Sequence, residues 1–220
     1  MKIEKILQSY LTLQNNLQAE NHKAAAAILA DYIQEAKNEI NATKARSTGK
    51  KGIHAAAMRI LKNADDCRPI LKKAYRQPDG VTICDGFRLI KFTTEEAPEL
   101  PELDENDAKH YLNPDDIINP NKEHKTAAPL PTLSELKNFI ATEKATRKAN
   151  GEKINRFNRI LYTFTDGVNV DALFLLDMLE ALPECVARVT CQEYKRKYTP
   201  IYFEAVNGCG VLLPVRVNKD

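Results

Sequence analysis

At 220 residues the chain can bury a good core in one or two domains, and a net charge of only +2 leaves no global field to recruit nucleic acid, so any such contact has to come from a local patch. No stretch reaches the length of a membrane span and no apolar signal segment opens the chain. Five cysteines, an odd number without C-x-x-C spacing, fit a reducing cytosol better than a disulfide framework, so a soluble cytoplasmic protein is expected.

From Lys2 to Ala45 there is neither Pro nor Gly, and Ile3, Leu7, Tyr10 and Leu11, then Ala25, Leu29, Tyr32, Ala36 and Ile40, recur at helical spacing. A helical hairpin over 1–46 is expected, breaking near Glu20–His22. It is either an extra layer packed on the core or an arm for oligomerisation or partner binding. Arg46 to Gly52 reads as a linker. Its Gly49-Lys50 pair lacks the first glycine and the preceding strand of a phosphate loop. A short helix is expected over Ile53 to Ala64, carrying His54, Arg59 and Lys62. Strands are expected over Pro69–Arg76 and Val81–Cys84, joined across Asp79-Gly80. A corner at Asp85-Gly86 then feeds a third, Phe87–Phe92.

Thr94 to Pro131 differs in composition. Pro98, Pro101, Pro114, Pro120, Pro129 and Pro131, among many Glu, Asp and Asn, predict a long surface excursion without regular structure, or a partly disordered segment. Thr132-Leu133-Ser134-Glu135 is a capping box, and the helix it opens should run to about Ala149. Lys144, Arg147 and Lys148, followed by Lys153, give that helix a basic end of the kind that complements a helix dipole.

The closing stretch begins with an expected strand over Phe157–Phe164, ended by Asp166-Gly167. A helix over Ala172–Leu182 follows, with Asn169 as its cap, Asp171 in its first turn and Pro183 after its last. Strands are expected over Val186–Tyr194 and Thr199–Val206. The Asn207-Gly208 turn leads to a last strand, Val211 to Val217, apolar on both faces and so expected to be covered on both. The order is β-α-β-β-β. The stretch at about 53–93 repeats its α-β-β-β part, so the chain reads as two copies of one plan, at about 53–93 and 157–217.

A search for catalytic chemistry finds no pattern. His22, His54, His110 and His124 lie in unrelated contexts, and no G-x-S-x-G, H-E-x-x-H or Walker sequence occurs. Asp104, Glu105, Asp107, Asp115 and Asp116 could hold a hard cation, but in a Pro-rich segment they read as a solubilising run. Cys84 lies beside Asp85, which raises a thiol's pKa and works against a nucleophile. No enzyme activity and no cofactor are expected.

Two segments carry a family resemblance. Arg68-Pro69-Ile70-Leu71, followed by Ile83-Cys84-Asp85-Gly86-Phe87-Arg88-Leu89, resembles the R-P-x-L and T-D-G-[HY]-R-L signature of the bacterial DNA polymerase III β subunit, the sliding clamp. The stretch Leu173 to Leu179, Pro200-Ile201-Tyr202-Phe203 and Leu213-Pro214-Val215-Arg216 is similar to the clamp's last helix and terminal M-P-[MV]-R strand. Cys84, Phe87 and Leu213 stand where the family has Thr, His or Tyr, and Met. The resemblance implies an α+β, clamp-like domain of two β-α-β-β-β units over 52–218, with the Pro-rich insert and its helix at 94–153.

It also implies a non-enzymatic DNA-replication accessory factor, of prophage or mobile-element type, that docks the clamp-binding peptides of replication proteins or assembles as a homo-oligomeric ring. The implied peptide pocket is Cys84, Gly86, Phe87, Arg88, Leu89, Leu213, Pro214 and Val215, with Arg88 donating to the peptide. In the family basic helix faces meet duplex DNA. Here Arg59 and Lys62 are the basic residues on the first helix, while Asp171, Asp177 and Glu180 are expected to give the second an acidic face that repels phosphates. The other expectation is an interaction or scaffold protein that keeps the clamp fold without encircling DNA and binds its partner through the helical arm.

Overall fold

The computed structural model describes residues 49–123, 126–155, 158–164, 167–192 and 195–216. The expected helical arm over 1–46, Phe157, Asp166 and the end of the last strand at Val217 lie outside these. The chain divides into units 1–50 and 51–220, and the architecture below is that of the second.

Helix α1 covers 49–63, so Gly49 to Gly52, read as linker, are helical. Ile53, Ala56, Ala57, Ile60 and Leu61 recur every third or fourth residue and are buried, whereas Lys51, Arg59 and Lys62 stay outside. Pro69–Lys72 is a short 3-10 helix rather than the start of a strand, with Pro at its opening position, where its missing N–H costs nothing. Strands β1 (Tyr75–Gln77), β2 (Gly80–Cys84) and β3 (Arg88–Phe92) then form an antiparallel meander.

The Pro-rich insert is structured, contrary to the sequence expectation. It contains helices α2 (Glu105–Ala108) and α3 (Pro114–Lys122) and strand β4 (Thr126–Ala128). Two of the prolines sit where regular structure tolerates them, while Pro120 lies inside α3 near its end. Pro114 opens α3, and Pro101 lends its carbonyl to the Ala74 N–H at 2.7 Å. Leu103, Tyr111, Leu112, Ile117 and Ile118, spread between the prolines, pack with Leu71, Cys84, Leu89, Tyr202 and Val211. The insert thus covers one face of the main sheet.

Helix α4 (Leu133–Ala149) opens on the expected capping box, with Thr132 and Glu135 exchanging both bonds. Strand β5 (Leu161–Thr163) is shorter than expected and pairs with β6 (Asn169–Asp171) as a separate two-stranded sheet. Asn169 is therefore a strand residue. The cap of α5 (Ala172–Ala181) is Asp171, whose carboxylate accepts the Leu173 and Phe174 N–H groups. Strands β7 (Val186–Val189), β8 (Ile201–Ala205) and β9 (Gly208–Leu212) complete the chain, and the last strand stops short of Pro214, which has no N–H to continue a ladder.

The main sheet has seven strands in the order β1-β2-β3-β9-β8-β7-β4, all antiparallel. In chain order the runs β1-β2-β3 and β7-β8-β9 both progress inward, with β4 outside β7. Their last strands meet as β3 and β9, with Ile90 opposite Gly210. Val81, Ile83, Ile90, Phe92, Ile201, Phe203 and Leu212 face a core shared with α1, α4 and α5, while their strand neighbours Cys84, Leu89, Tyr202 and Val211 face the insert. The strand period of two is what lets the closing strand be apolar on both sides.

Candidate functional site

The two segments singled out by sequence come together where β3 and β9 end. Arg88 lies opposite Leu212, and one residue further the Leu213 N–H donates to the Phe87 carbonyl at 2.9 Å. The chain then crosses to β6, where the Val215 N–H donates to the Asn169 carbonyl at 2.8 Å. Phe87, 42% exposed, and Leu213, 39% exposed, are therefore neighbours in a protein that buries most of its large apolar side chains. Gly86 adopts φ +89°, a conformation that favours glycine, and so turns Phe87 outward at the Asp85-Gly86 corner.

The eight residues do not form one wall. Cys84 and Leu89 are buried beneath the insert, on the opposite face of the sheet from the helices. Burial, more than the neighbouring Asp85, pushes the Cys84 thiol up to about 11. Pro214 and Val215 are half-buried beside Leu213.

Arg88, expected to donate to a peptide, is 2% exposed and already committed. Its Nε and Nη2 donate to Asp85 Oδ2 at 3.0 and 2.7 Å, and its Nη1 donates to Asp177 Oδ2 at 2.5 Å. Asp85 also accepts the Phe87 and Arg88 N–H groups and the Asn63 amide. These partners explain how Asp85, Arg88 and Asp177 tolerate burial, and the network continues outward: Arg59 donates to Asp177 Oδ1 at 2.6 Å and to Glu180, and Lys137 reaches Glu180 at 2.7 Å.

The expected acidic face of the last helix is therefore absent. Asp171 is buried and caps α5, Asp177 lies between two arginines, and Glu180 lies between Arg59 and Lys137. Outside them, Lys51, Lys62, Lys137, Lys144 and Lys148 are exposed along α1 and α4. Arg59, expected as a DNA contact, is half-exposed and holds the two copies' helices together.

Beside Phe87 opens a cleft of about 490 Å³. Phe87, Ile154, Ile160, Leu173 and Phe174 supply its apolar surface, and Asn63, Asp65, Asn155, Arg159 and Asp171 its polar groups. Phe87 packs on Phe174 with ring centroids 5.7 Å apart. The Arg88 guanidinium lies 4.1 Å from the Phe174 centroid, and that of Arg159 lies 4.9 Å from Phe87 and 5.3 Å from Phe174. Burial raises the Asp171 pKa, opposed by the two α5 N–H groups and by Arg159 and Arg88.

Sequence reasoning found Phe87 but missed Phe174, Arg159, Ile154 and Asn63. They come from three distant stretches, and only the pairing of the two copies brings them to one place. Phe174 belongs in sequence to an apolar helix similar to the clamp's last helix, with nothing that marks it as a cleft residue. Among the described residues, no group of three or more His, Cys, Asp or Glu is arranged to hold a metal, and no helix is long and apolar enough to cross a membrane. The acids of the insert have local partners: Asp104 caps α2, Asp115 meets Lys91, and Asp116 accepts from Asn113.

Comparison with protein-family models, with curated proteins and with solved structures finds no match.

Proposed function

We propose that this chain is a non-catalytic, clamp-like docking protein that receives a short apolar peptide of a replication partner in the cleft at the end of β3 and β9. The observation that carries this reading is the exposed pair Phe87 and Leu213, joined by a backbone hydrogen bond, with Phe87 also lining a cleft whose apolar surface includes Ile154, Ile160, Leu173 and Phe174. The doubled helix-and-three-strand plan supports the clamp-like half of the reading. So does the meeting, at one point, of the two segments that resemble the clamp signature. Cytoplasmic location and a role in replication belong to the same proposal.

The test is a fluorescence-anisotropy titration with a labelled peptide Gly-Ser-Leu-Phe-Asp-Gly. Saturable binding is expected, weakened about tenfold or more in a Phe87→Ser, Leu213→Ser double variant, since each loses an apolar contact worth about 1 kcal/mol or more. Both side chains are substantially exposed, so the double variant should keep its fold. Absence of binding by the parent protein, or equal binding by the variant, would refute the reading.

A second reading, duplex DNA held against the helix layer, gains support from the neutralisation of Asp171, Asp177 and Glu180. With those acids paired, the lysines on α1 and α4 dominate the exposed charge of that layer. Assembly of several copies into a ring rests on the clamp resemblance alone.

A further inference from the structure

The apolar residues of the 51–220 unit form two clusters on opposite faces of the main sheet. The larger one, beneath the helices, draws on Ala97 and Leu100 early in the insert and on Ala128 and Leu130 near its end, but on no described residue between them. The smaller one is covered by the middle of the insert, through Leu103, Tyr111, Leu112, Ile117 and Ile118. Helix α2 has four residues and α3 nine, with Pro120 inside it, too few to persist without that contact. The polar ties are weak. Asp107 reaches Lys73 at 3.7 Å near solvent, and Lys91, which meets Asp115 at 3.0 Å, also holds Asp79 at 2.7 Å and so keeps a carboxylate when Asp115 leaves. Two hydroxyls are caught in the interface. Tyr111 Oη, whose ring lies 4.9 Å from that of Tyr75, and Thr82 Oγ1, on the strand residue opposite Tyr75, are buried and find no hydrogen-bond partner among the described residues. Each regains water when the insert lifts, so both oppose the closed state.

We propose that the segment 104–122 is a strap that lifts as one piece from an otherwise intact sheet and gates chemical access to Cys84 and the sheet face around it. Its first fixed point lies beside β1, where the Ala74 N–H donates to the Pro101 carbonyl at 2.7 Å and the Leu103 N–H to the Ala74 carbonyl at 3.0 Å. Its second is β4, paired with β7. Lifting the strap between these points removes nothing from the larger core, whereas Cys84, Leu89, Tyr202 and Val211 lose their cover. Cys84 is the reporter built into that face, a free thiol that is buried while the strap is down. The strap contributes no residue to the cleft beside Phe87, so this inference is independent of the docking reading.

Native-state labelling of the full chain with iodoacetamide tests it, with each cysteine followed by mass spectrometry of its peptide and global unfolding measured alongside in urea. The exposed Cys67 and Cys191 serve as the fast reference. Cys84 should label slowly without denaturant, yet about tenfold or more faster than global unfolding permits, and with a shallow dependence on urea because the opening exposes little surface. Ile118→Ala, which removes apolar contact from the strap, should speed Cys84 labelling about tenfold or more. Tyr111→Phe, which keeps the ring and removes the orphaned hydroxyl, should slow it about fivefold. Cys84 labelling as steep in urea as global unfolding would overturn the inference. So would a rate unmoved by Ile118→Ala, which would place the opening elsewhere. Should Ile118→Ala fail to fold, hydrogen exchange in the parent protein decides: the amides of α3 should exchange well before those of β2, β3 and β9, and exchange in step with them would refute a separate strap.

Discussion

Arg88 shows how one side chain can serve the fold rather than a ligand. It joins Asp85 of its own turn to Asp177 of the second copy's helix, with almost none of its surface reached by water. Removing it leaves buried Asp85 without its guanidinium and Asp177 with Arg59 alone, so Arg88→Ala should lose about 3 kcal/mol or more of stability in urea titrations. A loss below about 1 kcal/mol would mean that water already reaches this network. Asp171 makes a different prediction. Burial raises its folded pKa, so over the range between the unfolded and folded values the native state binds more protons and stability falls as pH rises. Asp171→Asn keeps a capping oxygen and removes that titration. The variant's urea midpoint should therefore gain on the parent's as pH is raised upward from about 4, then stay level above the folded pKa. A gap that narrows as pH rises would show that Arg159 and Arg88, not burial, dominate the carboxylate.

At the scale of elements, the feature most sensitive to change is the crossing of β9 beneath α5. A Cβ on Gly210 would sit 2.6 Å from the Leu89 carbonyl oxygen and 2.9 Å from Met178 Cε, and the carbonyl belongs to the strand that pairs with it. Gly210→Ala should therefore cost about 2 kcal/mol or more, visible as a fall in thermal midpoint. An unchanged midpoint would show that β3 and β9 can part at the join of the two copies.

Some of this was legible in sequence. The Thr132 capping box depends on neighbours within a few residues and appears as read, and hairpins form close to the Asp79-Gly80 and Asn207-Gly208 signals, although their loops are Pro78-Asp79 and Val206-Asn207, with Gly80 and Gly208 already paired in strands. The insert was misread because its prolines were counted as breakers. Pro114 instead opens a helix, and Tyr111 and Ile118 bury themselves against the sheet. Asn169 lost the cap to Asp171 because strand pairing with Thr163 claimed it first.

At the scale of the whole 51–220 unit, the governing relation is between the runs β1-β2-β3 and β7-β8-β9, which share a sheet through β3 and β9, while Arg59 and Arg88 clasp Asp177 of α5. The mixture of helices with antiparallel strands could be read from the order of elements. The cleft could not, since Asn63, Phe87, Arg159 and Phe174 become neighbours only once β3 and β9 pair. The same pairing explains why the acidic residues of α5 are spent on arginines and lysines rather than shown to solvent. The arginine of the clamp-like motif, Arg88, is internal, and the half-buried cation of the cleft, Arg159, comes from a stretch with no motif at all.

The measurement that tests the central claim most directly is residue-resolved NMR of the full chain titrated with the Gly-Ser-Leu-Phe-Asp-Gly peptide. The account predicts that the shifting resonances cluster on Phe87, Ile154, Arg159, Leu173, Phe174 and Leu213, where the two copies meet. Shifts confined to the lysine-bearing faces of α1 and α4, or no shifts, would contradict a docking site at that junction.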